Sequence, residues 1–212
     1  MRPPVSALDD AGLGLVRRRL ANALRQQPQR HCRFKYAAGA GEAAVLLLLL
    51  ASKSGQPSVL FEERQRRLLA HGGEVCFAGG KADPSDATLV HTALRETHEE
   101  LGLDPGSVSV LGRLPPVPNK TGSLRVHPVV GFTDGYLDPL SLELNRDEVH
   151  RAFTLPLSHF FCEGNRDLSQ EFRTTGVSIP VYTTDKPGLR IWGLTAFILH
   201  EFLSRISDAA HD

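Results

Sequence analysis

The stretch GGKADPSDATLVHTALRETHEELGL, residues 79–103, predicts a glycine-containing loop followed by a helix. Its apolar positions recur at alternating spacings of three and four, which is the period of an amphipathic helix. The helix is expected over about residues 86–101, with Ser85 or Asp86 as its cap and Gly102 in the left-handed position that ends it. The positions that set this period are Ala87, Val90, Leu94, Thr97 and Leu101.

Three glutamates crowd the C-terminal part of this helix. Glu96, Glu99 and Glu100 fall within an arc of about 100°, largely opposite the apolar positions, so one side is expected to pack and the other to present carboxylates. Like charges at these spacings repel, and acids oppose the helix dipole here. Arg95 can offset one of the three charges. A hard divalent cation, Mg²⁺ or Mn²⁺, would resolve the conflict, whereas the motif alone also suits a solvated acidic face.

The composition of the whole chain excludes some classes of partner. Its 212 residues carry 24 Lys+Arg and 24 Asp+Glu, so the chain is not built for non-specific attraction to nucleic acid or anionic lipid, and a small charged ligand is the expected partner. Cys32, Cys76 and Cys162 lack a CxxC pair, which predicts reduced thiols in an intracellular compartment. The longest apolar run, residues 43–51, is too short to cross a bilayer as a helix.

The remaining pattern predicts a mixed α/β protein. Short apolar segments separated by Gly and Pro indicate strands, and the segment at 45–50 reads as buried on both faces. Residues 62–73 are charged and glycine-terminated, which predicts a surface loop. With a final helix over 194–206, the pattern favours a mixed sheet between helices. The predicted strands are 45–50, 58–61, 74–77, 108–114, 126–132, 148–154 and 178–183.

The first 36 residues carry eight Lys/Arg against Asp9 and Asp10, and two interpretations are open. One is an Arg-rich mitochondrial presequence; the other is an N-terminal helix capped by Ser6 or Asp9. We divide the chain into an extension over 1–40, a catalytic domain over 41–206 and a tail over 207–212. A mitochondrial or cytoplasmic location is expected, because the C-terminal SDAAHD is not a peroxisomal signal.

The quoted stretch resembles the Nudix box, a loop–helix–loop motif. Its front half is one residue longer than the standard box, which places Gly80 and Asp86 at the expected glycine and acid. That longer spacing is similar to the coenzyme A pyrophosphatase-like branch, especially its mitochondrial-type animal members. Residues 64–80, 145–160 and 191–196 resemble further motifs of that branch. The residues that match the ending of the box are Arg95, Glu96, Thr97, Glu99, Glu100, Gly102 and Leu103.

The resemblance implies a Nudix α/β/α sandwich that hydrolyses a diphosphate linkage with Mg²⁺ or Mn²⁺. Coenzyme A or acyl-coenzyme A is the implied substrate, cut to adenosine 3′,5′-bisphosphate and 4′-phosphopantetheine or its acyl form. Leu69 and Ala78 replace an arginine and a proline of the branch, which leaves NAD(H) or another dinucleotide as an alternative substrate. A module that binds nucleotides without turnover is the alternative of another class. The protein is expected as a monomer or homodimer.

The resemblance also implies roles for individual residues. Glu96 and Glu100 are the implied metal ligands, and Glu99 is a third ligand or the base that takes a proton from water. Arg95 would orient Glu99. Glu148 is a second candidate base or a structural acid.

The remaining candidates would contact substrate. Gly79 and Gly80 would let the backbone approach a phosphate, although an ordinary turn also suits them. Lys81, Arg64 and His71 are candidate substrate-binding residues, with a solvated lysine and a structural histidine as alternatives. Elsewhere, His91 is expected only to pack, Asp86 to cap the helix rather than bind metal, and Trp192 to lie in the core rather than stack on a base.

Overall fold

The computed structural model describes residues 17–22, 24, 34–167, 171–172, 177–178 and 180–208. The proposed cap at Ser6 or Asp9 and the last four residues of the predicted tail lie outside this part of the chain. Residues 17–22 and 24 are helical, as one of the two interpretations of the N-terminus predicts. Within the described residues, no helix combines the length and the apolar character that a membrane crossing requires.

A mixed sheet forms the centre of the fold. Its strands are β1 Gly41–Ala51, β2 Pro57–Arg64, β3 Val75–Cys76, β4 Gly79–Lys81, β5 Val108–Arg113, β6 Val117–Pro118, β7 Leu124–Tyr136 and β8 Val149–Pro156. Five of them follow one another in the order β3-β2-β1-β7-β5, while β4 pairs with β1, β6 with β7 and β8 with β2. Strands β1 and β7 run parallel, and the other pairs are antiparallel.

Strand β1 is buried on both faces, as its continuous apolar sequence predicts. Alternate side chains point to opposite faces of a strand. Accordingly, Leu47 and Leu49 join one apolar cluster, whereas Leu46 and Leu48 join another on the opposite face. The sheet therefore has a core on each side.

Helices cover both faces, which confirms the predicted α/β/α sandwich. Helix α1, Leu89–Leu101, contributes Ala93 and Leu101 to the cluster on one face. Helix α3, Gly193–Asp208, lies on the other face with Leu20 from the N-terminal helical segment. The short helix α2 is Leu157–Phe161, and the small strands are β9 Arg166–Asp167, β10 Glu171–Phe172, β11 Val177–Ser178, β12 Val181–Thr183 and β13 Arg190–Ile191.

Two predicted segments differ from the structure. Residues 62–64 belong to β2 rather than to a surface loop, and both Glu62 and Glu63 are fully buried. Burial is tolerated at Glu63 because Arg66 and Arg151 each donate to its carboxylate, at 3.0 and 2.7 Å. The strand predicted over 178–183 is divided between two sheets, since Pro180 has no N–H to continue a ladder.

Candidate active site

Two glycines let α1 lie directly against β4. Gly79 has φ 153°, and its N–H donates to Glu100 Oε2 at 2.8 Å. A Cβ at Gly80 would lie 2.5 Å from the carboxylate of Glu96. The close approach at these glycines is therefore to the helix carboxylates, and the predicted approach of a phosphate stays a prediction.

The packed side of α1 contains four of the five predicted positions, Val90, Leu94, Thr97 and Leu101, but it also includes Glu100, and the predicted Ala87 is exposed. Its buried residues are Thr92, Ala93, Thr97, Glu100 and Leu101. Glu100 is only 2 % exposed, while the side chain of Glu99 is 54 % exposed. Small residues such as Ala93 let this face approach the sheet, and Thr97 satisfies its hydroxyl by donating to Ala93 O at 2.7 Å. The three glutamates thus occupy different environments and do not form one solvent-facing row.

The helix also begins later than predicted. Thr88 is the cap, and its hydroxyl accepts from the His91 N–H at 3.1 Å. Asp86, predicted to be the cap, instead accepts from Arg95 Nε and Nη2 at 2.9 and 3.0 Å. These hydrogen bonds lower the pKa of Asp86. His91, expected only to pack, is exposed and lies 3.1 Å from Asp86.

Arg95 connects the loop before α1 to two of its glutamates. Beyond Asp86, its guanidinium lies 2.9 Å from Glu99 Oε2 and 2.9 Å from Glu96 Oε1. Its Nη2 also donates to Lys81 O at 3.2 Å. The predicted contact between Arg95 and Glu99 is therefore present, and a fixed carboxylate, Asp86, anchors the guanidinium that makes it.

A second buried acid faces Glu100 from the sheet. Burial and then the negative charge of Glu62 raise the pKa of Glu100, although the N–H of Gly79 and Arg64 oppose the shift. Burial likewise raises the pKa of Glu62. Glu62 Oε1 accepts from Cys76 Sγ at 3.2 Å, and Oε2 has no hydrogen-bond partner among the described residues. Arg64 Nη1 lies between the two acids, 3.6 Å from Glu100 and 4.0 Å from Glu62.

Two further carboxylates complete what we call the carboxylate cluster: Glu62, Glu96, Glu100 and Glu148. Burial is the main cause of the raised pKa of Glu96. Arg95 lowers this pKa, whereas the charges of Glu99 and Glu148 raise it further. The charge of Glu148 also contributes to the raised pKa of Glu62. The four acids therefore act on one another electrostatically, although they come from β2, α1 and the loop before β8.

The chemistry of this cluster suits a hard divalent cation. Across the described residues, no three His, Cys, Asp or Glu side chains are already grouped as a metal site. In this arrangement one oxygen of Glu96 faces Arg95 and one oxygen of Glu100 faces Gly79. The unpartnered oxygen of Glu62 and the mutual repulsion of the acids are the features that a cation would satisfy, and oxygen donors are what Mg²⁺ and Mn²⁺ prefer.

The other predicted site residues lie around the cluster at different distances. The side chain of Lys81 is exposed at the end of β4. His71 is also exposed, has φ 58° and contacts Glu74 Oε2 at 3.0 Å; its predicted contact with substrate stays a prediction. Trp192 is 49 % exposed, so its prediction as a core residue is wrong; it precedes α3 and does not lie on its packed face. Leu69 is fully exposed, and Ala78 is buried.

Glu62 is the site residue that the sequence interpretation missed. Its signal was present as EER, residues 62–64, directly after the apolar segment 58–61. The pattern could not show that the strand continues, because charged residues usually mark its end. Pairing with β8, where Glu62 faces Ala152, carries the carboxylate into the interior.

Known proteins share sequence similarity with this chain. A family profile described as the NUDIX domain matches residues 41–172. Over 167 residues the chain is 41 % identical to the Homo sapiens protein named mitochondrial coenzyme A diphosphatase NUDT8, which covers 74 % of this chain and 66 % of that protein. Over 182 residues it is 34 % identical to the Yersinia enterocolitica protein named uncharacterized Nudix hydrolase NudL, covering 86 % of this chain and 88 % of that protein.

A solved structure shares the fold. The MutT/nudix family protein from Enterococcus faecalis superposes with a TM-score of 0.53 at 17 % identity, over 90 % of this chain and 74 % of that chain.

Proposed function

The chain belongs to the Nudix family, and on that premise we propose that it is a metal-dependent diphosphatase of coenzyme A and acyl-coenzyme A. The products would be adenosine 3′,5′-bisphosphate and 4′-phosphopantetheine or its acyl form. The human relative is named as a coenzyme A diphosphatase, which supports this substrate, as do the branch motifs around the box.

One observation carries the proposal: a carboxylate cluster lies beside a glycine pair and contains more acids than its surroundings can neutralise when all of them are ionised. Glu100 and Glu62 are both buried. The charge of Glu62 raises the pKa of Glu100, and the charge of Glu148 raises the pKa of Glu62. Among the described residues, Arg64 is the one cation within 4.0 Å of both carboxylates. A site that binds a cation and then a diphosphate has a reason to keep such a cluster, which a purely structural helix does not.

We assign the metal ligands to Glu96 and Glu100, with Glu99 as a third. A bound Mg²⁺ or Mn²⁺ supplies charge neutralisation for the diphosphate and lowers the pKa of a bound water. Glu62 Oε2, which is buried and unpartnered, adds an oxygen donor on the side of the sheet.

The other residues position the reactants. Glu99 is exposed enough to accept a proton from water, and Arg95 holds its carboxylate while Asp86 holds Arg95. Glu148 is the second candidate base.

On the substrate side, Gly79 and Gly80 bring the backbone of β4 against the carboxylates of Glu100 and Glu96, so a diphosphate bound at those acids would lie beside β4. Arg64, Lys81 and His71 would contribute positive charge or hydrogen bonds to the substrate.

The test is hydrolysis of coenzyme A and of NADH by the purified protein, with Mg²⁺ or Mn²⁺ and with chelator. We expect metal-dependent hydrolysis of coenzyme A, and a loss of kcat of at least about 100-fold in Glu100→Gln and Glu99→Gln. Rapid cleavage of NADH with slow cleavage of coenzyme A would assign the dinucleotide instead. Failure to hydrolyse either substrate would favour a binding module.

A further inference from the structure

Resting on that proposed function, we propose that an open cleft beside β4 binds the nucleoside half of the substrate. The cleft has a volume of about 530 Å³, within the range of pockets that bind small ligands. It lies outside the carboxylate cluster. The residues that line it and carry the argument are Glu42, Lys81, Ala82, Asn119, Ser123 and Leu124.

The cleft lies next to Gly79 and Gly80, at the end of the same strand, β4. Gly80 is opposite Ala44 and Lys81 is opposite Ala43 on β1. The N–H of Ala82 then donates to Glu42 O at 2.9 Å, so the chain leads from Gly80 into the lining of the cleft. Two residues of a strand span about 6.6 Å. A group joined directly to a diphosphate at Gly79–Gly80 can therefore reach the cleft.

The polar floor of the cleft is a fixed carboxylate. Glu42 accepts from Arg125 Nη1 through one oxygen and contacts His127 Nε2 through the other, each at 2.6 Å. The Arg125 guanidinium in turn lies 4.7 Å from the centre of the Tyr36 ring, which restrains it. Each carboxylate oxygen has a second lone pair. Glu42 can therefore accept from a ribose hydroxyl or an amino group of a base without losing its present partners.

The remaining lining suits a phosphorylated nucleoside. Leu124 and Ala82 supply apolar surface for a base or sugar, and Ser123 presents an exposed hydroxyl. In the described part of the chain, the ammonium of Lys81 has no carboxylate within ion-pair distance. That cation is therefore available to a phosphate group.

The opposite side of the cluster offers less free charge. In the loop over 65–74, Arg66 is paired with Glu63 at 3.0 Å and Arg67 with Asp147 at 2.5 Å. Leu69 of the same loop is fully exposed. Paired arginines and an exposed leucine suit the pantetheine or acyl half better than a nucleotide phosphate. The two halves of the substrate would accordingly leave the diphosphate in opposite directions.

Inhibition by the two products tests this orientation. We expect Ala82→Trp, which fills the cleft while keeping the backbone hydrogen bond to Glu42, to weaken inhibition by adenosine 3′,5′-bisphosphate at least about 10-fold. Inhibition by 4′-phosphopantetheine should be unchanged. Ala87→Trp is the matched control, because Ala87 is exposed on the same loop and does not line the cleft. Weakened inhibition by phosphopantetheine, or no change for either product, would overturn the proposal.

A second measurement uses the wild-type protein and does not depend on the folding of a variant. Titration with adenosine 3′,5′-bisphosphate is expected to shift the amide resonances of Ala82, Ser123 and Leu124 most strongly. Shifts concentrated in residues 65–74 and 145–150 would refute the assignment. Binding in the cleft by a protein that fails to hydrolyse coenzyme A would reject the proposed reaction and keep the cleft as a nucleotide site.

Discussion

Glu100 is only 2 % exposed and lies next to other acids. Gly79 donates one hydrogen bond to it, and Arg64 lies 3.6 Å away, but Glu62 and Glu96 both add unfavourable negative charge. Ionisation of such a group opposes folding when no cation is bound. The residue is consequently retained at a cost to stability, which fits a functional position.

Replacement of this acid should make the metal-free protein more stable. An acid whose pKa is higher in the folded protein than in the unfolded chain binds its proton more tightly when folded. The free energy of unfolding of the wild type therefore falls as pH rises from the ordinary glutamate pKa toward the raised pKa of Glu100. We expect Glu100→Gln to remove this contribution and to gain about 1–3 kcal/mol at pH 8.

Urea unfolding in chelator at pH 5 and pH 8 measures this effect. Glu99→Gln is the control: the side chain of Glu99 is 54 % exposed and the variant keeps Glu100, so its free energy of unfolding should fall between pH 5 and pH 8 as that of the wild type does. A Glu100→Gln protein that is less stable than the wild type at pH 8 would show that the carboxylate serves mainly as a structural acceptor for Gly79.

At the scale of elements, the contact between β4 and α1 determines where the carboxylates lie. The two glycines of β4 have different neighbours. A Cβ at Gly79 would meet the backbone of Ala44 and Val45 first, whereas the three atoms nearest to a Cβ at Gly80 all belong to the carboxylate of Glu96. Backbone cannot move away cheaply, but a carboxylate can rotate. The glycines should therefore respond differently to substitution.

We expect Gly80→Ala to separate activity from stability. The new methyl group would displace the Glu96 carboxylate, with a loss of kcat/KM of at least about 10-fold and a change in the free energy of unfolding below about 1 kcal/mol. Gly164→Ala is the control, because nothing lies within 4 Å of a Cβ there. Steady-state kinetics and urea unfolding measure both quantities. Full activity in Gly80→Ala would mean that the position of Glu96 is unimportant.

At the scale of the whole molecule, two cores share one sheet. Helix α1 covers one face, and α3 with the N-terminal helical segment covers the other. Leu20 is 6 % exposed and belongs to the second core. The boundary predicted between residues 40 and 41 stays a prediction, as does a targeting role for the N-terminus. Residues 17–22 and 24 nevertheless supply packing that a domain starting at 41 would lose.

The contribution of this segment is measurable through one side chain. Leu20→Ala should lower the free energy of unfolding by about 2–4 kcal/mol, because it leaves a cavity between the segment and α3. Leu140→Ala, at a leucine that is 89 % exposed, should change it by less than about 0.5 kcal/mol. Thermal or urea unfolding of the two variants decides this point. Equal stability of both would show that the segment packs only loosely.

The sequence by itself determined the local elements and the class of chemistry. Periodic apolar positions specify α1, Gly102 ends it at φ 67°, and a continuous apolar run specifies β1, because these signals depend on neighbours along the chain. The match to the end of the Nudix box likewise depends only on the spacing of residues that are near in sequence.

Only the tertiary structure decided the environment of each acid. Glu62 and Glu100 are 38 positions apart along the chain. They lie close together because α1 packs on the sheet that contains β2. The exposure of Glu99, the burial of Glu100 and the anchoring of Arg95 by Asp86 follow from which side of α1 meets β4. Burial and long-range charge depend on distance in space, and a pattern along the chain does not contain that distance.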